Sequence, residues 1–403
     1  MSPTQIDKAP EQFKLVHVTE QENINFTRYQ NSLAWKGALT EDDYVLREYV
    51  LSKSKITSSG NNKLYVFMLK STFDNEPLCS IEMLVRDSLK FEYDNDGARV
   101  RKSSVLSGCI GGVFTYPQKR GKGYARIMVD KLVQVAKQDI VGPDGFTFLY
   151  SEIGEYYAKN GFKSFPVDLI DISLRNVSQV EPPQVEYELI EYHQFQELMD
   201  QYKIYFEQDV IAKVEQDHKS RVSINPTSDL VDWFHLRAKF ITYKLFHEQQ
   251  GHVVDFKKEY DTIKDSLVHE PKVFGLQLKQ NGQVTGFIIW TIDWSSETAQ
   301  DNYATILKVV AFDNQDQTVV DLIQLAIHHF VHYPVLGKPT TNVKLWESEI
   351  NDAVKRHLVE RWSAETGIDN SSRSAILMNN PIDEERLMKG ELVWEENTKL
   401  PWF

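Results

Sequence analysis

Residues 113–136 (VFTYPQKRGKGYARIMVDKLVQVA) run from a glycine-broken strand through a glycine loop into an amphipathic helix. The strand ends at Pro117. Ala125, Met128, Val129, Leu132, Val133 and Ala136 then recur at helical spacing, which predicts a helix from about Gly123 with one apolar face. Between them lie Gln118, Lys119, Arg120, Gly121, Lys122 and Gly123. A loop at a helix N-terminus carries unpaired N–H groups and the positive end of the helix dipole. Glycine there lets the backbone approach a phosphate with no Cβ in the way. The segment therefore predicts an anion site suited to a pyrophosphate. Lys119, Arg120 and Lys122 add positive charge to a chain whose formal net charge is -13. The loop is not a P-loop, because no GKS or GKT closes it. It is not a dinucleotide fingerprint either, because a third glycine and an opening βαβ unit are missing.

Around this junction the first half alternates strands and helices. β-rich runs predict strands at 13–19, 63–72, 78–86, 104–115, 146–151 and 162–174. Two helical stretches fill 20–54, broken near Gly37, with a helix start at 40–43; a further helix is predicted at 152–160. Residues 87–102 are polar and read as a hairpin loop. Residues 176–183 (NVSQVEPP) read as a linker. Beyond it come a strand at 187–190 and helices to about 246. Strands follow at 273–279, 283–293 and 303–312, with a hairpin turn at Asn281-Gly282. A helix at 315–332, a strand at 343–346 and a helix at 352–365 complete the series. The order of strands and helix repeats that of the first half, which predicts a duplicated fold. A chain of 403 residues is expected to divide in two, at 1–178 and 184–403.

Gln118-x-x-Gly121-x-Gly123-x-Ala125 resembles the Gln/Arg-x-x-Gly-x-Gly/Ala signature of the GNAT acetyltransferases. Residues 156–162 (YYAKNGF) resemble the family's second signature, a Tyr four residues before a Gly-Phe pair. Both stand in the family's order with a strand between, and the likeness covers residues 13–175. In length and second half the chain is similar to the fungal lysine N6-acetyltransferases of lysine catabolism. The resemblance implies an α/β (α+β mixed-sheet) GNAT acyltransferase fold, followed by a degenerate GNAT-like C-terminal domain without the CoA loop. It implies acetyl-CoA as cosubstrate, held by Val113, Gln118, Lys119, Arg120, Gly121, Lys122, Gly123, Tyr124 and Ala125. Pantetheine would enter a split between parallel strands at 106–115 and 146–150, with a backbone N–H near Val113 facing the thioester oxygen. Gly108, Gly111 and Gly112 suit close approach or a bulge there.

Tyr157 matches the position of the family's acid. A neutral phenol, with an ordinary pKa of about 10, can donate to a departing thiolate; the bland alternative is an aromatic packed under the cofactor. Tyr156 is its neighbour, and Tyr150 and Ser151 could line the site. An acceptor lysine amine, with a pKa near about 10.4, arrives protonated. Glu82 and Glu152 are candidates for the base, and each also reads as a solvated or salt-bridged carboxylate. The sequence closes on Leu400-Pro401-Trp402-Phe403, an apolar end that gains by burial. Either it threads to the site, where the Phe403 carboxylate takes the base role as in bacterial acetyltransferases built from several GNAT-like domains, or it packs between the two domains.

Charge and composition narrow the remaining classes. An acidic surface argues against nucleic acid as the main partner. No apolar run of about 18 residues occurs, so no membrane span is expected, and the first residues lack a secretory pattern. The two cysteines, Cys79 and Cys109, sit in apolar strand-like runs and read as packed, reduced thiols. Without a secretory pattern the sequons at Asn25, Asn176 and Asn370 carry no weight. A cytoplasmic enzyme is expected, acting on a small-molecule amine that the resemblance makes L-lysine. Another small amine or a protein lysine is the second reading, and a non-catalytic CoA-binding scaffold the third. His328, His329 and His332 lack a carboxylate or cysteine partner, so no metal is expected. Trp290, Trp294, Trp346 and Trp394 read as core or interface aromatics. The second half's counterpart of the anion loop, Asp313-Asn314-Gln315-Asp316, has no glycine and two acids that would repel a pyrophosphate. One CoA site per chain is therefore expected. A free amino acid needs its carboxylate recognised, and Arg237, Arg356, Arg361 and Arg373 are available.

Overall fold

A computed structural model describes residues 12–403 apart from 95, 98, 176 and 296–298. The sequon at Asn176, the first linker residue and nearly all of the N-terminal segment lie outside the described residues. In chain order the first half holds β1 (Phe13–Val18), α1 (Gln21–Trp35), α2 (Glu41–Leu51), α3 (Lys55–Ser58), β2 (Lys63–Ser71), β3 (Pro77–Asp94), β4 (Arg99–Thr115), α4 (Tyr124–Val135), β5 (Phe146–Ser151) and β6 (Lys163–Ser173). The second half holds β7 (Glu186–Glu191), α5 (Gln196–Asp217), β8 (Ser220–Ile224), α6 (Ser228–Thr242), α7 (Tyr260–Ser266), β9 (Val273–Gln280), β10 (Gln283–Trp294), β11 (Asn302–Ala311), α8 (Asp316–His332), β12 (Thr340–Trp346), α9 (Asp352–Trp362), β13 (Glu365–Met378), α10 (Pro381–Lys389) and β14 (Leu392–Trp394).

One mixed sheet runs through the molecule in the order β1-β2-β3-β4-β5-β13-β6-β12-β11-β10-β9-β7, with β8 bridging β3 and β14. The order β1-β2-β3-β4-β5 matches β7-β9-β10-β11-β12. In each series the last two strands are parallel and joined through a helix, α4 or α8. The halves exchange their next strands. β13 lies between β5 and β6, and β6 lies between β13 and β12, all antiparallel. A cut at 178/184 leaves β6 paired with β12 and β13 of the second half, and leaves β13 and β8 of the second half paired with strands of the first.

Local sequence explains the main elements. Thr40 caps α2, its side chain accepting from Asp43 N–H at 3.1 Å, and Glu41, Asp42 and Asp43 favour the positive helix end. The apolar face of α4 buries Met128, Val129 and Leu132 on the sheet at 0% exposure, each contributing roughly 1.5–3 kcal/mol. Asn281-Gly282 turns β9 into β10. The main core cluster crosses between the halves, and the clusters under α4 and α8 also draw on both, the first taking Ala375 and the second Ile170 and Ile172. Cys79 and Cys109 are buried free thiols, and burial pushes both up to about 12.

Several expectations need correction. Residues 87–102 are not a polar loop: β3 and β4 stay paired from Asp87↔Leu106 to Asp94↔Arg99. Leu89 and Phe91 face the core, β8 pairs with residues 88–91, and the polar members find partners: Ser88 donates to Ser107 and Lys90 Nζ binds Asp383 at 2.6 Å. Residues 152–160 form no full helix, only a tight turn at Tyr156–Asn160 after Gly154 takes φ +66°. The helical stretch predicted to 246 is interrupted by β8, and β13, α10 and β14 were not foreseen.

Candidate active site

β4 and β5 pair in parallel from Ser107↔Phe146 to Ile110↔Leu149 and then part. At the same point the β3–β4 register slips between Ser80 and Glu82, so Gly112 and Val113 stand opposite Ile81 alone. Gly112 adopts φ +57° there, a conformation that L side chains resist. A cavity of about 460 Å³ opens at this split. Its first-half wall includes Asn31, Tyr44, Glu82, Gly111, Val113 and Tyr157, and its second-half wall includes Trp233, Arg237, Asp293 and Tyr303.

The glycine loop follows the end of β4 and leads into α4. Gly121 and Gly123 take φ +79° and +77°, and a Cβ at either would meet no atom within 4 Å. Among the described residues, the backbone N–H groups of residues 121–126 have no protein acceptor, since the first bond into the helix runs from Ile127 to Gly123. Gln118, Arg120 and Lys122 are exposed and Tyr124 and Ala125 half-buried. Lys119 is engaged by Glu76, and Arg120 donates to the Thr115 carbonyl at 3.1 Å while lying over Phe114. An open cradle of donors suits a diphosphate.

Tyr157 sits in the turn before Gly161 (φ +91°) and is only 7% exposed. Burial pushes its phenol well above the ordinary tyrosine value, and its hydroxyl has no protein hydrogen-bond partner among the described residues. Tyr156 packs edge-on against it. Glu82 is 7% exposed; burial raises its carboxyl to about 7 against the pull of Arg28, whose Nε lies 3.8 Å away. Glu152 stands at the exposed rim, accepting from Trp35 Nε1 at 3.4 Å.

The C-terminal residues enter the same cavity. Tyr150 donates to the Thr398 carbonyl and stacks on Trp402, and Arg86 Nη2 donates to the Pro401 carbonyl at 2.6 Å. Lys399, Trp402 and Phe403 line the cavity, and the Phe403 ring covers Gly111 so closely that a Cβ there would meet it at 3.0 Å. The tail thus packs between the halves and also walls the cavity.

The equivalent opening beyond β11 and β12 is occupied by charge. Pairing stops at Thr305↔Lys344, and a smaller cavity of about 270 Å³ follows. Lys308 spans Glu349 (3.3 Å) and Glu396 (2.9 Å); burial works against its charge, but the two carboxylates hold it well above the ordinary lysine value. Of the arginines proposed for a substrate carboxylate, Arg237 lines the main cavity; Arg356, Arg361 and Arg373 are not among its lining residues. His328 donates to the Val180 carbonyl and His332 accepts from Val180 N–H, so these imidazoles hold the connection between the halves. Among the described residues no group of three His, Cys, Asp or Glu is placed to hold a metal, and no helix is long and apolar enough to cross a membrane. Asp293, Tyr303 and Lys399 were missed, because each comes from a different element and no local motif marks them.

Residues 171–403 match the family described as the LYC1 GNAT-like C-terminal domain. An uncharacterised protein of Saccharomyces cerevisiae, YGR111W, is 24% identical over 417 residues, covering 94% of either chain. A lysine acetyltransferase of Yarrowia lipolytica is 29% identical over 170 residues, which is 37% of this chain and 40% of that protein. Among solved structures, a GCN5-related N-acetyltransferase from Anabaena variabilis superposes with a TM-score of 0.52 at 14% identity, over 92% of this chain and 73% of that one, a likeness of fold.

Proposed function

The chain belongs to the GNAT family that carries the LYC1 GNAT-like C-terminal domain, and from that premise we propose that it transfers the acetyl group of acetyl-CoA to the side-chain amine of free L-lysine, giving N6-acetyl-L-lysine. The observation that carries this reading is a single cavity in which the opened β4–β5 edge, the unpartnered Tyr157 hydroxyl and charged groups of the second half meet. Acetyl-CoA, when bound, supplies the activated acetyl thioester. The unpaired N–H groups of residues 121–126 fit its diphosphate, and Val113, Gln118, Lys119, Arg120, Gly121, Lys122, Gly123, Tyr124 and Ala125 form the proposed cofactor set. The charge-filled opening of the second half supports one such site per chain, in 1–178, with 184–403 as its degenerate partner. Lysine as acceptor draws on the name of the Yarrowia relative, and lysine degradation in the cytoplasm is the setting we propose.

Tyr157 donates a proton to the departing thiolate: burial keeps its phenol neutral, and so in the donating form, at the pH of turnover, while raising the cost of giving the proton up. The acceptor amine must lose a proton, and Glu82 is the group the geometry favours. It lies on β3 opposite Gly111, and burial has tuned it close to neutral pH, where a general base works best. The Phe403 carboxylate is the second reading for the base, favoured by the contact of its ring with Gly111.

The test is turnover of acetyl-CoA with L-lysine beside a panel of polyamines and lysine-containing peptides, reading CoA release and the mass of the product. The highest kcat/KM is expected with L-lysine. A higher value with a polyamine or peptide would replace the acceptor, and binding of acetyl-CoA with no CoA release to any amine would leave the scaffold reading.

A further inference from the structure

Three charged side chains of the cavity have bonding capacity that the protein leaves unused. Arg237 on α6 donates through Nη1 to Asp293 Oδ1 on β10 at 2.5 Å. Among the described residues its Nε and Nη2 have no protein acceptor, and Asp293 Oδ2 has no donor. Both side chains keep partial exposure, 28% and 18%. Lys399, from the C-terminal tail, places Nζ 3.2 Å from the centre of the Trp402 ring and has no carboxylate within ion-pair distance among the described residues. Burial pulls its ammonium down to about 7 even with Asp293 nearby, so it is a group that gains by meeting an anion. Tyr303 adds a hydroxyl on the same wall, with no protein hydrogen-bond partner among the described residues.

The three charged groups arrive from separate elements, α6, β10 and the tail, and with Tyr303 of β11 all line the cavity that holds Tyr157 and the β4–β5 opening. Two cations and one carboxylate with free valences match a ligand that carries one carboxylate and one ammonium on the same carbon. A carboxylate between Lys399 and Arg237 forms charge-assisted hydrogen bonds with both. An ammonium beside it meets Asp293 Oδ2. A polyamine would place a second cation next to Arg237 and Lys399, and a peptide-borne lysine offers neither head-group charge.

We infer that Arg237, Lys399 and Asp293 form a head-group receptor in this cavity and that it selects a zwitterionic α-amino acid, leaving the amine at the far end of its side chain for the opening at Gly111 and Tyr157. The inference rests on the acetyl-transfer reading above and deepens it: these three are specificity residues, outside the proton transfers assigned to Glu82 and Tyr157.

The experiment compares L-lysine with its two single-group deletions, cadaverine (no carboxylate) and 6-aminohexanoate (no α-ammonium), in the full-length protein and in Arg237→Met, Lys399→Met and Asp293→Asn. The wild type is expected to prefer lysine over either analogue by about 10- to 100-fold in kcat/KM, the size of one lost charged hydrogen bond. Arg237→Met and Lys399→Met are expected to lower lysine and 6-aminohexanoate much more than cadaverine, carried by KM. Asp293→Asn is expected to lower lysine and cadaverine much more than 6-aminohexanoate. Lys399→Met breaks no ion pair within the protein, so it stands as the readable variant should Arg237→Met misfold. Equal losses on all three amines in Lys399→Met and Asp293→Asn would overturn the receptor while leaving lysine acetylation in place. A wild type that acetylates none of the three, yet acetylates another amine, would overturn the lysine reading and the receptor together.

Discussion

In the proposed reaction Glu82 and Tyr157 divide the proton transfers at the scale of single residues. Glu82 is faced by Arg28 from α1 and by Tyr44, Arg47 and Glu48 from α2, and burial outweighs Arg28 in setting its proton affinity. A base must be ionised, so kcat is expected to rise with pH through about 7. In Glu82→Gln that inflection should vanish and kcat fall roughly 100-fold. Tyr157→Phe should lower kcat by a similar factor, roughly 100-fold, with unchanged acetyl-CoA affinity and the inflection kept. An unaltered pH profile in Glu82→Gln, lost instead on deletion of Phe403, would move the base to the tail. The same raised value affects folding. The native state holds the Glu82 proton more tightly than the unfolded chain, whose value is the ordinary 4.5, so this group's stabilising effect is present at low pH and is lost as pH rises through about 7. The place of Tyr157 in the turn before Gly161 was legible in the sequence because its neighbours in the signature are consecutive. The standing of Glu82 was not, because Arg28 and the Gly112 bulge reach it from elements that the strand's own residues do not specify.

At the scale of elements, the strand–loop–helix unit from β4 to α4 was legible because its chemistry is local. The glycines, the open N–H groups and the apolar face of α4 all follow from one run of residues. Gly121→Glu tests it. A Cβ at this position meets no atom within 4 Å, so the expected effect comes from the positive φ and from a carboxylate set among the donors proposed for a diphosphate. Gly121→Ala carries the same left-handed strain, about 1–2 kcal/mol, without the charge. Acetyl-CoA binding, measured by calorimetry, is expected to be lost in the Glu variant and largely kept in the Ala variant. Equal affinity in wild type and Gly121→Glu would remove the cradle from the site. β13 shows the opposite case. Its sequence, ETGIDNSSRSAILM, is polar and glycine-broken over most of its length. It becomes a strand because β5 and β6 offer open edges on both sides, with register shifts that absorb the irregular part. Nothing within those residues records that opportunity.

The duplicated plan of the whole molecule was legible in the repeated order of strands and helix, but the exchange of β6 and β13 was not, because a strand's alternation states which face is buried and not which neighbour it joins. The exchange has a consequence for function. The cavity takes one wall from each half and its lining tail from the end of the second, so the sheet that fixes the β4–β5 opening is itself closed by β13. Take residues 1–182 alone: β5 loses β13 along Phe146–Ser151, and β6 loses both its partners. Unpaired edges of that length invite aggregation. Expressed alone, this fragment is expected to aggregate and to bind no acetyl-CoA. Co-expressed with residues 183–403 it is expected to form a one-to-one complex that binds the cofactor and turns over lysine. A monomeric, cooperatively unfolding 1–182 fragment with intact acetyl-CoA affinity would mean that the opening holds its shape without the exchanged strand, and that the second half serves the acceptor alone.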